Sequence, residues 1–290
     1  MSAHLEALKA CQNQDGGWGY YTGKPSWLEP TIWAALALHG DSASDRAWAL
    51  VRQWQLESGA WRASANVPEE SWTTSLMVLW HCVRDTRDSQ WRHGLDWLLA
   101  SKGATTTWWD RFILSLLPVK ATDFDSTLAG WPWRNGTSSW VEPTAHAVNA
   151  LRHCGASAKS SELDERIDIG ERLLIDRRCK DGGWNYGYRW VLGENLESYP
   201  ECTGLALIGL NGARQRDLAP SFKCAQQYWS GRIPNLGRAL LRIALRLHGV
   251  PFQDVPATPP QQCREVAHLA FEALGDPGGN WKLLRAKESA

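Results

Sequence analysis

The chain has 290 residues with 31 Lys and Arg against 31 Asp and Glu, so no net field recommends nucleic acid as a partner. No apolar run approaches the roughly 18 residues that a spanning helix needs, and residues 1–11 read as an amphipathic helix, not a basic-then-apolar leader. Seven cysteines, odd in number and without a CxxC pair, suit reduced thiols and a cytoplasmic setting.

The first predicted helix, residues 3–12, stops at Asp15-Gly16-Gly17-Trp18, a strong turn signal. Pro30 suits a first helical turn, where its missing N–H leaves nothing unpaired. The helix it opens, Ile32-Trp33-Ala34-Ala35-Leu36-Ala37-Leu38, is apolar nearly all round and therefore buried. An amphipathic helix over about 43–55 leads to Gly59-Ala60-Trp61, and Glu70-Ser71-Trp72-Thr73-Thr74 introduces the apolar helix 75–82. Further helices are predicted over 89–101, 106–117, 142–153, 161–178, 201–211, 219–230, 236–248 and 261–274. Residues 118–139 read as helix-free, Pro251–Pro260 with its four prolines as a strap, and the residues after Gly275 as loose.

A repeated unit underlies this order. Gly17-Trp18 precedes Trp27-Leu28-Glu29-Pro30-Thr31, and Gly130-Trp131 precedes Trp140-Val141-Glu142-Pro143-Thr144. Gly183-Trp184 precedes Tyr199-Pro200-Glu201-Cys202-Thr203 in a looser copy. Repetition at this scale predicts an array of helix pairs. Amphipathic helices alternate with apolar ones across glycine–tryptophan turns. The pattern predicts an all-α (α/α) barrel of about twelve helices in two concentric rings, a single domain over residues 1–290.

Gln12 with Gly16-Gly17-Trp18, Gln53 with Gly59-Ala60-Trp61, and Asp181-Gly182-Gly183-Trp184 resemble the Gln–Trp repeats of the prenyltransferase and squalene-oxidase repeat superfamily, over most of residues 5–250. That resemblance implies a barrel whose inner helices enclose an apolar, aromatic-lined cavity for an isoprenoid chain. Class II cyclases of the superfamily carry Asp-x-Asp-Asp-Thr-Ala at an inner-helix start. Aligned on Thr144-Ala145, that motif puts Glu142 at the place of the protonating acid, while Asp123-Phe124-Asp125-Ser126-Thr127 is nearer by letters but falls in a loop. The superfamily's zinc-binding Asp-x-Cys pair has no counterpart, since Glu201 and Cys202 are adjacent. No metal and no cofactor are expected.

The repeated glutamates Glu29, Glu142 and Glu201 carry two readings. Each suits a helix N-terminus, where the dipole stabilises a carboxylate by roughly 0.3–1 kcal/mol. A barrel also directs equivalent helix ends to one mouth, and crowded, buried carboxyls lose their charge and become proton donors. Glu142 is the leading donor, with His146 one turn along; Asp125 is the alternative, against an ordinary turn role for Asp123 and Asp125.

The 19 Trp, against 5 Phe and 6 Tyr, also divide in two. Trp18, Trp61, Trp131 and Trp184 read as wedges between helices. Trp27, Trp108, Trp109, Trp133 and Trp140, with Tyr199, read as candidate cavity lining, where aromatic faces hold an apolar chain or a carbocation. His39, His81, His153 and His248 fall near inner-helix ends and read as structural.

Three functions remain open at this level. The first is acid-initiated cyclisation of an apolar polyprenyl substrate. The second is non-catalytic binding of an isoprenoid or other apolar chain. The third is a glycan-active (α/α) barrel, because tryptophans and paired carboxylates also suit sugars. An isoprenoid small molecule is the expected partner; peripheral membrane contact, self-association and a second helical domain supplied in trans also stay open.

Overall fold

The computed structural model describes residues 2–115, 123–213 and 215–286. Among these, twelve α-helices follow one another: α1 (Ala3–Ala10), α2 (Leu28–Ala37), α3 (Ser42–Val51), α4 (Thr74–Val83), α5 (Ser89–Ala100), α6 (Trp108–Ser115), α7 (Val141–Cys154), α8 (Ser161–Asp176), α9 (Pro200–Gly209), α10 (Ala219–Ser230), α11 (Asn235–His248) and α12 (Val266–Gly275). Helices α2, α4, α7, α9, α11 and α12 pack each on the next, and α12 returns to α2, so the apolar set closes into an inner ring. Outside it, α1 lies on α12, α3 on α2, α5 on α4, α8 on α7, and α10 between α9 and α11. This is the all-α toroid that the alternation predicts. None of the described helices is long and apolar enough to cross a membrane.

One hydrogen-bonded link recurs four times and ties the rings together. The backbone N–H of Trp18 donates to Thr31 Oγ1 at 2.9 Å, and Trp61 pairs with Thr74 at 2.8 Å. Trp131 pairs likewise with Thr144 at 3.1 Å and Trp184 with Thr203 at 3.0 Å. Each indole N–H reaches back to a carbonyl of a preceding outer helix, at Leu8, Val51, Leu98 and Leu174. All four rings are buried, as befits wedges between helices. Glycine before the tryptophan permits the close approach: a Cβ at Gly130 would stand 2.7 Å from Thr144 Oγ1, and one at Gly183 would stand 2.6 Å from Thr203 Oγ1.

Helix α6 stands outside the alternation. Three of the repeat tryptophans find their carbonyl ten residues back, but Trp131 finds Leu98 at a separation of 33. Residues 101–129 are thus an excursion inserted between an outer helix and its own glycine–tryptophan turn. Of the segment expected to be helix-free, 123–139 has no helix; 118–122, with 116–117 of the predicted helix, lie outside the described residues.

The proline strap runs between α11 and α12 and is fastened from several sides. Trp229 Nε1 donates to Gln253 O at 2.8 Å, Arg242 Nη2 to Val255 O at 3.0 Å, and Thr258 O lies 2.7 Å from His4 Nε2. Arg242 also pairs with Glu272 of α12 at 2.6 Å, both side chains almost wholly buried. Burial alone would raise the Glu272 pKa, but hydrogen bonds from His268 and Thr258 and the Arg242 charge hold it at about 2.

Residues 276–286 are not loose, and 287–290 of the segment expected to be so lie outside the described residues. Asn280–Leu284 forms a 3₁₀ turn across the far ends of the inner helices, and Leu284 is fully buried. The Asn280 amide donates to Ala37 O at 2.9 Å, Leu283 O meets His153 Nε2 at 3.0 Å, and Ala286 N–H donates to Asn211 Oδ1 at 2.9 Å. Helix C-termini leave carbonyls unpaired, and this tail together with ring nitrogens answers them. His248 likewise lies 2.7 Å from Leu207 O, and His81 2.9 Å from Thr86 O.

The recurring link yields a test. Thr144→Val keeps the shape but strands the buried Trp131 N–H, so unfolding by urea is expected to shift by about 1–3 kcal/mol, with Thr144→Ser close to the parent. An unchanged midpoint for Thr144→Val would mean that the link contributes nothing to stability.

Candidate functional site

An α-helix turns about 100° per residue. In α2, α7 and α9 the linking threonine faces outward to its tryptophan, so the glutamate two residues earlier, about 200° away, faces the centre. Residues four apart share a face. Five inner helices therefore each present a pair to one mouth: Glu29 and Trp33 from α2, Glu142 and His146 from α7, Glu201 and Leu205 from α9, Leu236 and Leu240 from α11, and Ala267 and Phe271 from α12. Two residues before Thr74, ahead of α4, stands Trp72, whose ring stacks on His146 with the centroids 5.5 Å apart. The cavity so formed measures about 190 Å³ and is completed by Tyr20, Tyr186, Cys202 and Glu265.

Tyr20 and Tyr186 each stand two residues beyond a repeat tryptophan and are set by the neighbouring helix start. Tyr20 O accepts from Val266 N–H at 2.9 Å and Tyr186 O from Val141 N–H at 3.0 Å. The Tyr20 hydroxyl then donates to Glu29 Oε2 at 2.7 Å.

Four glutamates share this cavity, and among the described residues no Lys or Arg lines it. The Glu29 carboxyl is pushed up from 4.5 to about 7, first by burial, then by the Glu142 charge, against the opposing Tyr20 hydrogen bond, with a further rise from Glu265. Neighbouring groups register the same negative field. Burial and then the Glu201 and Glu142 charges push the Cys202 thiol up, and burial and then Glu29 push the Tyr20 phenol up. His146 is only 3% exposed, lies 5.5 Å from the Trp33 ring, and places Nε2 3.9 Å from Glu142 Oε1. Among the described residues, no group of three or more His, Cys, Asp or Glu side chains is arranged to hold a metal ion.

The structure thus brings Glu29, Glu142, Glu201 and His146 together. Asp125 lies apart, in an exposed turn where its carboxylate accepts from Thr127 N–H at 2.9 Å, and Asp123 pairs with Arg189 at 3.0 Å. The expected aromatic lining sits mostly one ring further out. Trp27 packs on Tyr20 at 5.6 Å, Tyr199 on Tyr186 at 5.6 Å, and Trp133 on Trp72 at 5.1 Å. Trp140 packs on Tyr188 at 5.5 Å instead, and the Trp108 and Trp109 rings stack on each other, 60% and 56% exposed, on α6. None of these six lines the cavity.

Sequence reasoning missed Tyr20, Tyr186, Trp33, Phe271 and Glu265. Two of the signals were present: the residue two beyond each repeat tryptophan, and the residue four beyond each repeated glutamate. Glu265 caps α12, which has no glycine–tryptophan turn before it, so no repeat marks it.

No protein-family model and no curated protein sequence matches the chain. Solved structures do. The type II terpene cyclase MstE of Scytonema is 17% identical with a TM-score of 0.54, over 86% of this chain and 74% of that one. An α-1,6-mannanase of Salegentibacter is 12% identical with a TM-score of 0.58, over 94% and 98%. Endoglucanase Cel10 of Klebsiella pneumoniae, a family 8 glycosyl hydrolase, is 15% identical with a TM-score of 0.54, over 94% and 97%. At such identities the likeness shows a shared toroid and nothing about chemistry.

The upshifted carboxyl has a stability signature. A native state that binds a proton the unfolded chain has released loses stability as pH rises, here from near 4.5 until the loss is complete above about 7. A shift of this size corresponds to on the order of 3 kcal/mol. The parent minus Glu29→Gln difference in unfolding free energy is expected to fall over that window; a flat difference would place Glu29 in an ordinary aqueous setting.

Proposed function

We propose that this protein handles an isoprenoid chain and starts its cyclisation by protonating an alkene or epoxide from Glu29. The observation that carries this reading is a carboxyl set among Trp33, Phe271 and the leucines of a cavity shared with three further glutamates, where burial and then the Glu142 charge push its pKa up to about 7. The sequence favours Glu142 as donor; the burial and the Glu142 charge that push the Glu29 carboxyl up favour Glu29 instead. In the reaction, the Glu29 proton forms a C–H bond with the π pair of an alkene, or an O–H bond with an epoxide oxygen whose C–O bond then breaks, and leaves a tertiary cation. A second double bond attacks that cation and closes a ring. Loss of a neighbouring proton to Glu142 or Glu201 restores neutrality, so the product is an isomer of the substrate.

The cavity is smaller than the roughly 300–1,000 Å³ of common ligand sites, so it takes the reacting end of a chain. The remainder would lie over exposed aromatic groups at the mouth, Tyr186 and the Tyr199 ring packed on it. Support of a weaker kind comes from MstE, one solved structure of which holds geranylgeranyl dihydroxybenzoate as substrate. The glycan-active reading draws on the mannanase and endoglucanase, whose whole chains this fold spans. The apolar walls beside Glu29 speak against it.

Incubation with squalene, farnesyl diphosphate and geranylgeranyl diphosphate, read by gas chromatography and mass spectrometry, tests the proposal. A cyclised isomer is expected, formed more slowly as pH rises past about 7, and reduced about 10²–10⁴-fold in Glu29→Gln. Substrates that return unchanged from pH 5 to 8, with and without magnesium, would overturn the enzymatic reading, and release of sugar from mannan or glucan would replace it.

A further inference from the structure

Four glutamates face this cavity, and among the described residues no Lys or Arg lines it beside them. Glu142 and Glu201 come from the first turns of α7 and α9, and Glu265 from the residue before α12. Among the described residues, none of the four glutamates forms an ion pair with Lys or Arg. A second observation is independent of the carboxylates. His146 is buried, lines the same cavity, and makes no hydrogen bond among the described residues, its Nε2 being 3.9 Å from Glu142 Oε1 and beyond hydrogen-bond reach. A ring nitrogen at the cavity wall that makes no hydrogen bond is open to one from a ligand. The apolar side is aromatic and aliphatic, from Trp33 and Phe271 to Leu240.

We propose that this mouth binds a protonated alkylamine, with the ammonium N–H groups on Glu142, Glu201 and the free His146 nitrogen, and the alkyl chain against Trp33 and Phe271. Carboxylates give charge-assisted hydrogen bonds, roughly twice as strong as neutral ones. Ring faces attract the same charge. A cation also relieves the mutual repulsion of the glutamates, which a neutral ligand of the same shape does not. The inference goes beyond the protonation chemistry and does not depend on turnover of any alkene. It adds a ligand class in which a nitrogen carries the positive charge that the proposed reaction would generate on carbon.

The groups facing Glu29 are Tyr20 from the loop before α2, Glu142 and His146 from α7, Glu201 and Cys202 from α9, Tyr186, and Glu265 at the start of α12. Amine binding is therefore expected to strengthen between pH 6 and pH 8 as Glu29 releases its proton, opposite to the trend expected for alkene protonation.

Isothermal titration of the full chain with hexylamine and with hexan-1-ol, its uncharged counterpart of equal length, tests the proposal. Hexylamine is expected to bind at least tenfold more tightly at pH 8, with the ratio shrinking toward pH 6. Glu142→Gln and Glu201→Gln are each expected to cut the ratio at least threefold, while Glu162→Gln on the exposed start of α8 leaves it unchanged. Equal affinity for the two probes, or no heat from either at millimolar concentration, would overturn the inference without recourse to any variant. So would an undiminished ratio in both mouth variants. No isoprenoid enters this measurement, so a failed cyclisation assay and a failed amine titration are separate results.

Discussion

The hydrogen bond from each repeat tryptophan to the threonine of the following inner helix acts on two levels. It fixes the outer ring to the inner one by pairing a buried N–H, and it sets the rotation of the inner helix about its own axis. With the hydroxyl turned outward, the residue two positions earlier has to face the axis of the toroid. The carboxylates of Glu29, Glu142 and Glu201 are thus a geometric consequence of a scaffold contact. The second repeat has no glutamate two residues before its threonine but Trp72, whose ring stacks on His146.

Crowding acid groups at helix starts runs against their mutual repulsion. Each helix dipole offsets only part of it, by roughly 0.3–1 kcal/mol per terminus. Burial first, and then this repulsion, push up the Glu29 carboxyl, the Cys202 thiol and the Tyr20 phenol. Elsewhere the fold handles buried charge differently: Glu272 keeps its ionised form because Arg242 and Thr258 are on hand. The contrast between a compensated acid on α12 and uncompensated ones at the mouth marks the mouth as the place where the chain carries an electrostatic cost for something other than folding.

Much of this was legible in the letters. Apolar helices after each Gly-x-Trp or Gly-Trp turn foretold the inner ring, and the repeated Glu foretold a shared mouth, because both follow from period and register. The aromatic lining was misjudged for a physical reason. Trp27, Trp140 and Tyr199 are the N-cap residues of their helices, with extended backbone, so their rings project over the rim and not down the axis. The residues that reach the cavity sit one turn inside, at Trp33, His146 and Phe271. The α6 excursion and the ordered tail escaped notice because each depends on long-range contacts that no local pattern announces. Glu265 escaped because the strap replaces the repeat before α12.

The tail lies across the far ends of α2, α7 and α9, opposite the helix starts that carry the glutamates. A guest of the proposed kind would then enter and leave past those helix starts. A long guest would then keep its trailing end among the rim side chains throughout its stay, so those side chains, well away from Glu29, would govern how quickly the hollow empties.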